Sequence, residues 1–195
     1  MEWKLQPTEE EIAALLAVDL AGHFESVVVI FQDRLFSFAL RLTGNRQDAE
    51  EIAQDAFVRA YRSLVGYEPE RIRALRLRPW LYQITLNVVR NRVRGKRLQQ
   101  VDLDERGPVS AIADAEETGP EAATLRSELA RELAALVAAL PWRYRAPVIL
   151  RHVEGLGYGE AAGVLGQPVG TVKANVHRGV RLLRDALAQQ LIENR

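Results

Sequence analysis

One hydrophobic period runs through almost all of this chain, and it is the period of an α-helix. Phe24, Val27, Val28, Phe31, Leu35, Phe38 and Leu42 recur at i, i+3, i+4 and i+7 spacing, which makes a single apolar stripe. Thr43-Gly44-Asn45 supplies a stop. A second stripe then follows from about Gln47 to Leu64, carried by Ala49, Ile52, Ala53, Ala56, Phe57, Ala60, Tyr61 and Leu64. Two amphipathic helices joined by so short a turn form an antiparallel hairpin. Residues 8–20 predict a shorter helix, with Thr8 as N-cap and Glu11 three positions on completing a capping box. No segment alternates as a strand, and none repeats another. At 195 residues and 48% hydrophobic content there is enough apolar surface for a real core. The expected class is all-α.

Two stretches break the period. Residues 66–78, from Gly66-Tyr67-Glu68-Pro69 to Arg78, read as a basic loop, after which Pro79 suits the first position of a helix carrying Trp80, Leu81, Ile84 and Val88 inward. That helix ends in the polycationic run Arg90 to Arg97 and is expected to fray near Gly95. The longer break is acidic, spans residues 99–120 and contains Gly107-Pro108 and Gly119-Pro120, the composition of a flexible linker. A helix from about Glu121 to Leu140 follows and is stopped by Pro141. Pro147 would interrupt a helix already running from Pro141, so the next one is expected to start near Tyr144 and end by Gly155. The chain therefore divides into two small helical domains, 1–98 and 121–195, joined by 99–120.

Charge sharpens this division. The formal net charge is zero, from 26 Lys and Arg against 26 Asp and Glu. Residues 1–66 carry 6 basic and 11 acidic side chains, 67–98 carry 9 and 2, 99–139 carry 3 and 9, and 140–195 carry 8 and 4. With a Debye length of roughly 8 Å at physiological salt, a ligand feels the nearby block rather than the total. Two basic blocks separated by an acidic one predict two anion-facing surfaces.

The segment Tyr158 to Lys173 is the most informative. A small residue, Ala162, lies where a second helix would cross a short first one, and four positions later Gly166 permits the positive φ of a tight turn. Pro168 opens the second helix, whose Val169, Val172, Val176, Val180 and Leu183 form a core stripe. Thr171, Lys173, Ala174, Asn175, His177, Arg178, Arg181 and Arg184 are left facing out, with no acidic residue before Asp185. A helix-turn-helix with such a donor face suits the major groove, its first residues at base edges and its later arginines at phosphates. Gly155-x-Gly157-x-Gly159 follows no strand and lacks the spacing of a phosphate loop, so it reads as an inter-helix turn.

Taken in order, three segments resemble the extracytoplasmic-function sigma factors, the minimal two-domain bacterial transcription initiation factors. They are Arg41 to Tyr61, Arg78 to Asn87 and Leu140 to Arg184. The resemblance implies a sigma-2-like first domain and a sigma-4-like second one, with promoter DNA and core RNA polymerase as partners, the latter through its β′ clamp helices and β flap. It implies that Asp48, Glu51, Gln54, Asp55 and Arg59 face polymerase. Asn87, Arg90, Asn91, Arg94 and Arg97 are implied at the −10 element, where an extruded base is read on its pairing edge. Thr171, Lys173, Ala174, Asn175, His177, Arg178 and Arg181 are implied at the −35 duplex. An anti-sigma factor as regulator is implied as well. The sequence departs from the family pattern at Asn91, often aspartate, at Ala161, often isoleucine, and in the longer, arginine-rich stretch from Tyr67 to Arg78.

Other functions fit less well. A stand-alone helix-turn-helix regulator of the response-regulator type would need an α/β receiver pattern that is absent. An enzyme is not expected: His23, His152 and His177 are far apart, and no metal-ligand spacing or nucleophile arrangement stands out. No cofactor is implied. The lack of cysteine excludes disulfides, thiolate-bound zinc and thiol redox sensing by this chain. The start Met1-Glu2-Trp3-Lys4 lacks the basic and apolar regions of a signal peptide, and no apolar run reaches membrane-spanning length, so the expected location is cytoplasmic, without membrane insertion.

Overall fold

The computed structural model describes residues 7–99 and 132–193, and every described element is helical. Helix α1 is Glu9–Val18, α2 Leu20–Thr43, α3 Arg46–Val65, α4 Pro69–Arg73 and α5 Leu77–Gln99. A helical stretch at 132–139 precedes α6, Trp142–Val148, which runs on as a π-turn over Ile149–Val153. Then come α7, Tyr158–Leu165, and α8, Val169–Glu193. The 99–120 linker and the first part of the helix expected from Glu121 lie outside the described residues, apart from the last turn of α5.

The predicted local chemistry explains the first three helices. The Thr8 hydroxyl accepts from the Glu11 amide at 3.2 Å, and the Glu11 carboxylate accepts from the Thr8 amide at 2.7 Å, so two of the four orphan donors at the start of α1 are satisfied. Asn45 caps α3 by accepting from the Asp48 amide at 2.8 Å. The α2 stripe buries Val27, Phe31, Leu35, Phe38 and Leu42 against the α3 stripe of Ala49, Ile52, Ala56, Ala60 and Leu64. Full burial of each large side chain contributes about 1.5–3 kcal/mol. That is ample to fix the hairpin.

Three expectations are corrected. Residues 66–78 are not all loop: Pro69 starts the short helix α4, whose Ile72 is buried beneath α1. One apolar anchor in five residues is too little for periodicity to register. The next helix begins at Leu77, two residues before Pro79, and its backbone continues through Gly95 to Gln99. Pro79 fits there because the first turn has no intrahelical partner for its missing N–H. Finally, α6 starts at Trp142 and holds Pro147 inside. The helix then widens into the π-turn, with the Glu154 amide donating to the Ile149 carbonyl at 2.9 Å. Widening the ladder beside a proline is one way a helix absorbs the lost bond.

The two halves share one continuous apolar core, from Ile12 through Phe38 and Leu81 to Ile149 and Val176. Helix α7 packs on α5, and polar bonds follow the same seam. Gln83 and Arg90 donate to the Gly163 and Leu165 carbonyls, at 3.3 and 3.1 Å, at the C-terminal end of α7. Arg145 is only 4% exposed and donates to the Leu140 carbonyl at 3.1 Å and the Leu42 carbonyl at 3.0 Å. Its cation thereby joins the end of α2 to the end of the 132–139 stretch, where carbonyls lack helical partners and the dipole favours positive charge. Burial lowers the affinity of this guanidinium for its proton, but an arginine stays charged regardless. Tyr82 lies buried edge-on to Phe38, centroids 4.9 Å apart, and donates its hydroxyl to Glu154, which also pairs with Arg41 at 3.5 Å.

Candidate nucleic-acid and polymerase interfaces

Helix α3 presents its polar face opposite the buried stripe, because residues 48, 51, 55 and 59 recur at three- and four-residue steps. Glu51, Gln54 and Arg59 are exposed, and Asp48 and Asp55 are half-buried. The Arg59 Nε sits 3.0 Å from both Asp55 oxygens, and this bond raises the arginine's proton affinity. An i,i+4 pair this exposed contributes only about 0.3–0.5 kcal/mol, so it orients side chains more than it stabilises the helix.

Helix α5 turns two different faces outward and inward. Leu81, Tyr82, Thr85, Leu86, Val88 and Val89 are buried, and Trp80 and Ile84 are half-buried. The apolar face is therefore wider than the expected Trp80, Leu81, Ile84 and Val88. Trp80 packs against Tyr67, ring centroids 6.2 Å apart. Asn87, Asn91 and Arg94 line up at i, i+4 and i+7, all exposed. Arg90 is half-buried on the α7 carbonyl, and burial lowers its pKa. Arg97 lies beyond the residues whose side chains are described.

Sequence reasoning grouped Arg92 with the other cations of this helix, but the fold gives it a different place. Its Nε donates to Asp48 Oδ1 at 3.0 Å, and its terminal nitrogen lies 3.0 Å from Asp48 and 2.5 Å from Glu51. The bond to Glu51 is the main cause of its raised pKa. The signal available in the sequence was its register: position 92 continues the buried 85, 88, 89 row, so it faces α3 rather than solvent.

Helix α8 follows the tight turn at Gly166, whose φ of 65° is the left-handed geometry the sequence required. Val172 and Val176 are fully buried, Val180 and Leu183 partly, whereas Val169 is 41% exposed and drops out of the expected core stripe. Thr171, Lys173, Ala174, His177, Arg178 and Arg181 are exposed and Asn175 is half-buried. Lys173 sits over the Tyr158 ring, 5.6 Å from its centroid. The crossing of α8 over α6 depends on a glycine that sequence reasoning missed. A Cβ on Gly179 would lie 2.6 Å from Val148 Cγ2 and 3.2 Å from Tyr144 Cβ. The α3 and α5 faces meet through Arg92, while the α8 face turns to solvent.

Two family matches cover these surfaces. Residues 28–99 match sigma-70 region 2, which contains α3 and α5, and residues 130–183 match sigma-70 region 4, which contains α7 and most of α8. A sigma factor of Bacillus subtilis, the ECF RNA polymerase sigma factor SigW, is 33% identical over 175 residues, 86% of this chain and 88% of its own. The chain belongs to the extracytoplasmic-function sigma factors. The ECF sigma factor SigE of Mycolicibacterium smegmatis is 37% identical over 165 residues, 83% of this chain, and this chain spans 60% of that relative's length. Among solved structures, CnrH in complex with the cytosolic domain of CnrY aligns with a TM-score of 0.65 at 25% identity, covering 93% of this chain and 97% of that one. The sigma factor RpoE of Bartonella quintana, solved with the anti-sigma factor NepR, has the same fold, with a TM-score of 0.69 at 22% identity over 85% of this chain and 96% of that one.

The family is one of non-catalytic transcription initiation factors. Among the described residues, no group of three or more His, Asp or Glu could hold a metal ion, and no helix is long and apolar enough to cross a membrane. A stand-alone regulator of the response-regulator type is not favoured, because such a protein would lack the region 2 match over residues 28–99.

Proposed function

We propose that this factor works as a two-site promoter reader on core RNA polymerase, performing no chemistry of its own and acting in the cytoplasm. The unit 1–98 docks on the β′ clamp helices through Asp48, Glu51, Gln54, Asp55 and Arg59. The same unit reads the melted −10 strand through Asn87, with Asn91, Arg90, Arg94 and Arg97 around it. The unit 121–195, tethered by 99–120, sits at the β flap and reads the −35 duplex with Thr171, Lys173, Ala174, Asn175, His177, Arg178 and Arg181. A separate anti-sigma protein holds the factor inactive, a reading supported by the structural neighbour RpoE, which was solved with the anti-sigma factor NepR.

The observation that supports this most is the α8 face: donors at successive turns, exposed, on a helix preceded by a glycine turn and free of acid until Asp185. A polyanion is the partner such a face suits, and its position after the turn matches a groove-reading helix. Run-off transcription with purified core polymerase tests the proposal. Initiation at specific promoters from a genomic library is expected. A protein that neither binds core nor directs initiation on any promoter would sink it.

A further inference from the structure

Arg92 stands where the polymerase-facing and DNA-facing surfaces meet. It leaves α5 toward α3, one residue from Asn91 and two from Arg94, and bonds Asp48 at 3.0 Å and Glu51 at 2.5 Å. The three side chains are 32%, 16% and 46% exposed, in the order Arg92, Asp48, Glu51, so water reaches the cluster. A partly solvated pair of this kind is held weakly enough for a well-placed foreign cation to displace it. The other Glu51 oxygen already accepts from Gln47 at 3.4 Å, so in the free factor both of its oxygens have partners within the chain. A cation on a docking protein can take this carboxylate only at the expense of an internal bond.

We infer that Arg92 is an internal competitor of polymerase: it occupies Asp48 and Glu51 in the free factor, and a polymerase cation that takes them releases Arg92 toward the DNA strand beside Asn91 and Arg94. The inference rests on the proposed polymerase-facing role of Asp48 and Glu51. Arg92 thus acts as a positioning residue that couples two binding events across one helix pair. Linkage then demands reciprocity: if docking frees Arg92 for a phosphate, a phosphate that holds Arg92 must strengthen docking by the same factor.

The test uses the full chain and purified core polymerase without sigma, titrated by fluorescence anisotropy. Asp48→Asn with Glu51→Gln should weaken core binding about tenfold or more, the loss expected for interface carboxylates. Arg92→Ala should tighten core binding about threefold to fivefold, the size of a partly exposed ion pair no longer broken on docking. It should not tighten binding in the doubly substituted background. Arg92→Lys, which keeps a cation, should fall between. On preassembled holoenzyme, a single-stranded −10 oligonucleotide should bind Arg92→Ala with a salt slope lower by about 0.7, one phosphate contact fewer. Should Arg92→Ala melt early, Arg92→Met keeps the aliphatic stem over α3 and supplies the reading. If Arg92→Ala and Arg92→Met leave core affinity unchanged or reduce it, the competition does not exist. If the carboxylate substitutions leave core affinity unchanged, the polymerase-facing assignment fails, whatever Arg92 does.

Discussion

The cations of α8 and two of those on α5, Arg90 and Arg92, are alike in chemistry and opposite in circumstance. On α8, Lys173, Arg178 and Arg181 stand exposed, and among the described residues none of them forms an ion pair. On α5, Arg90 is bound to the end of α7 and Arg92 to two carboxylates of α3. The first set can meet a phosphate without giving up an ion pair among the described residues, and Lys173 gives up only its place over the Tyr158 ring. The second must exchange one bond for another. Composition counts both as basic surface, but the cost of using them differs by the energy of the internal partners. A duplex reader needs an open face from the start, whereas a reader of melted DNA acts only after polymerase has positioned it. The asymmetry fits the proposed division of labour, with α8 at duplex DNA and α5 at the melted strand.

The comparison depends first on the cover over α5, and Arg145 is where it breaks most severely. Arg145→Ala removes a buried charge donating to two helix-end carbonyls and leaves a cavity, and we expect a loss of about 3 kcal/mol in urea unfolding. A loss below about 1 kcal/mol would mean that the cation does not hold the halves together. The opposite face is addressed by Gly179→Ala, whose new methyl meets Val148 and Tyr144. Overpacking of this kind costs about 1–3 kcal/mol, and it should lower −35 duplex binding while sparing core polymerase binding. Equal damage to both activities would show that the crossing of α8 over α6 is not specific to the −35 side.

Smaller effects separate the two readers directly. Arg178→Ala and Arg181→Ala should each weaken −35 binding and reduce its salt slope by about one unit if they touch phosphate. Asn87→Ala should leave duplex affinity intact while impairing discrimination at the −10 element. Equal effects on duplex affinity from both kinds of substitution would contradict the division of labour.

The least effect concerns the seam at Tyr82. Burial, reinforced by the hydrogen bond to Glu154, raises its pKa far above the ordinary 10. The folded protein therefore keeps the hydroxyl protonated where the unfolded chain would ionise it. This contribution is intact below about pH 10 and declines as the pH rises above it, because the unfolded state then loses a proton that the native state retains. Stability measured between pH 9 and 11 should fall less steeply in Tyr82→Phe. An unchanged slope would show that the hydroxyl is not sequestered.

Much of this was legible beforehand because helices carry their own signature. The Phe24 to Leu42 and Ala49 to Leu64 stripes, the Thr8 capping box and the turn at Gly166 all act over a few residues, and each stands where its spacing predicts, except that Tyr61 lies exposed at the edge of the second stripe, against Phe24. The exposure of Asn87 and of the α8 donors other than the half-buried Asn175 was legible for the same reason: a face opposite a buried stripe must be outside. Helix α4 was not, since five residues offer no period to read. Val169 was misread because it sits at the very start of α8, where the stripe has not yet reached its neighbours.

The amino-acid order by itself determined the all-α class, the alternating charge blocks and the exposed donor face of α8, because each is written in the local order of residues. Only the tertiary structure decided which of the basic side chains are already spoken for. Arg90, Arg92 and Arg145 look alike as letters, yet one lies on a helix end, one between two carboxylates and one inside the core. Apart from the Leu140 carbonyl, close to Arg145 in the chain, their partners lie between 41 and 103 residues away. A charge's availability is set by what folding brings beside it, and no local period records that.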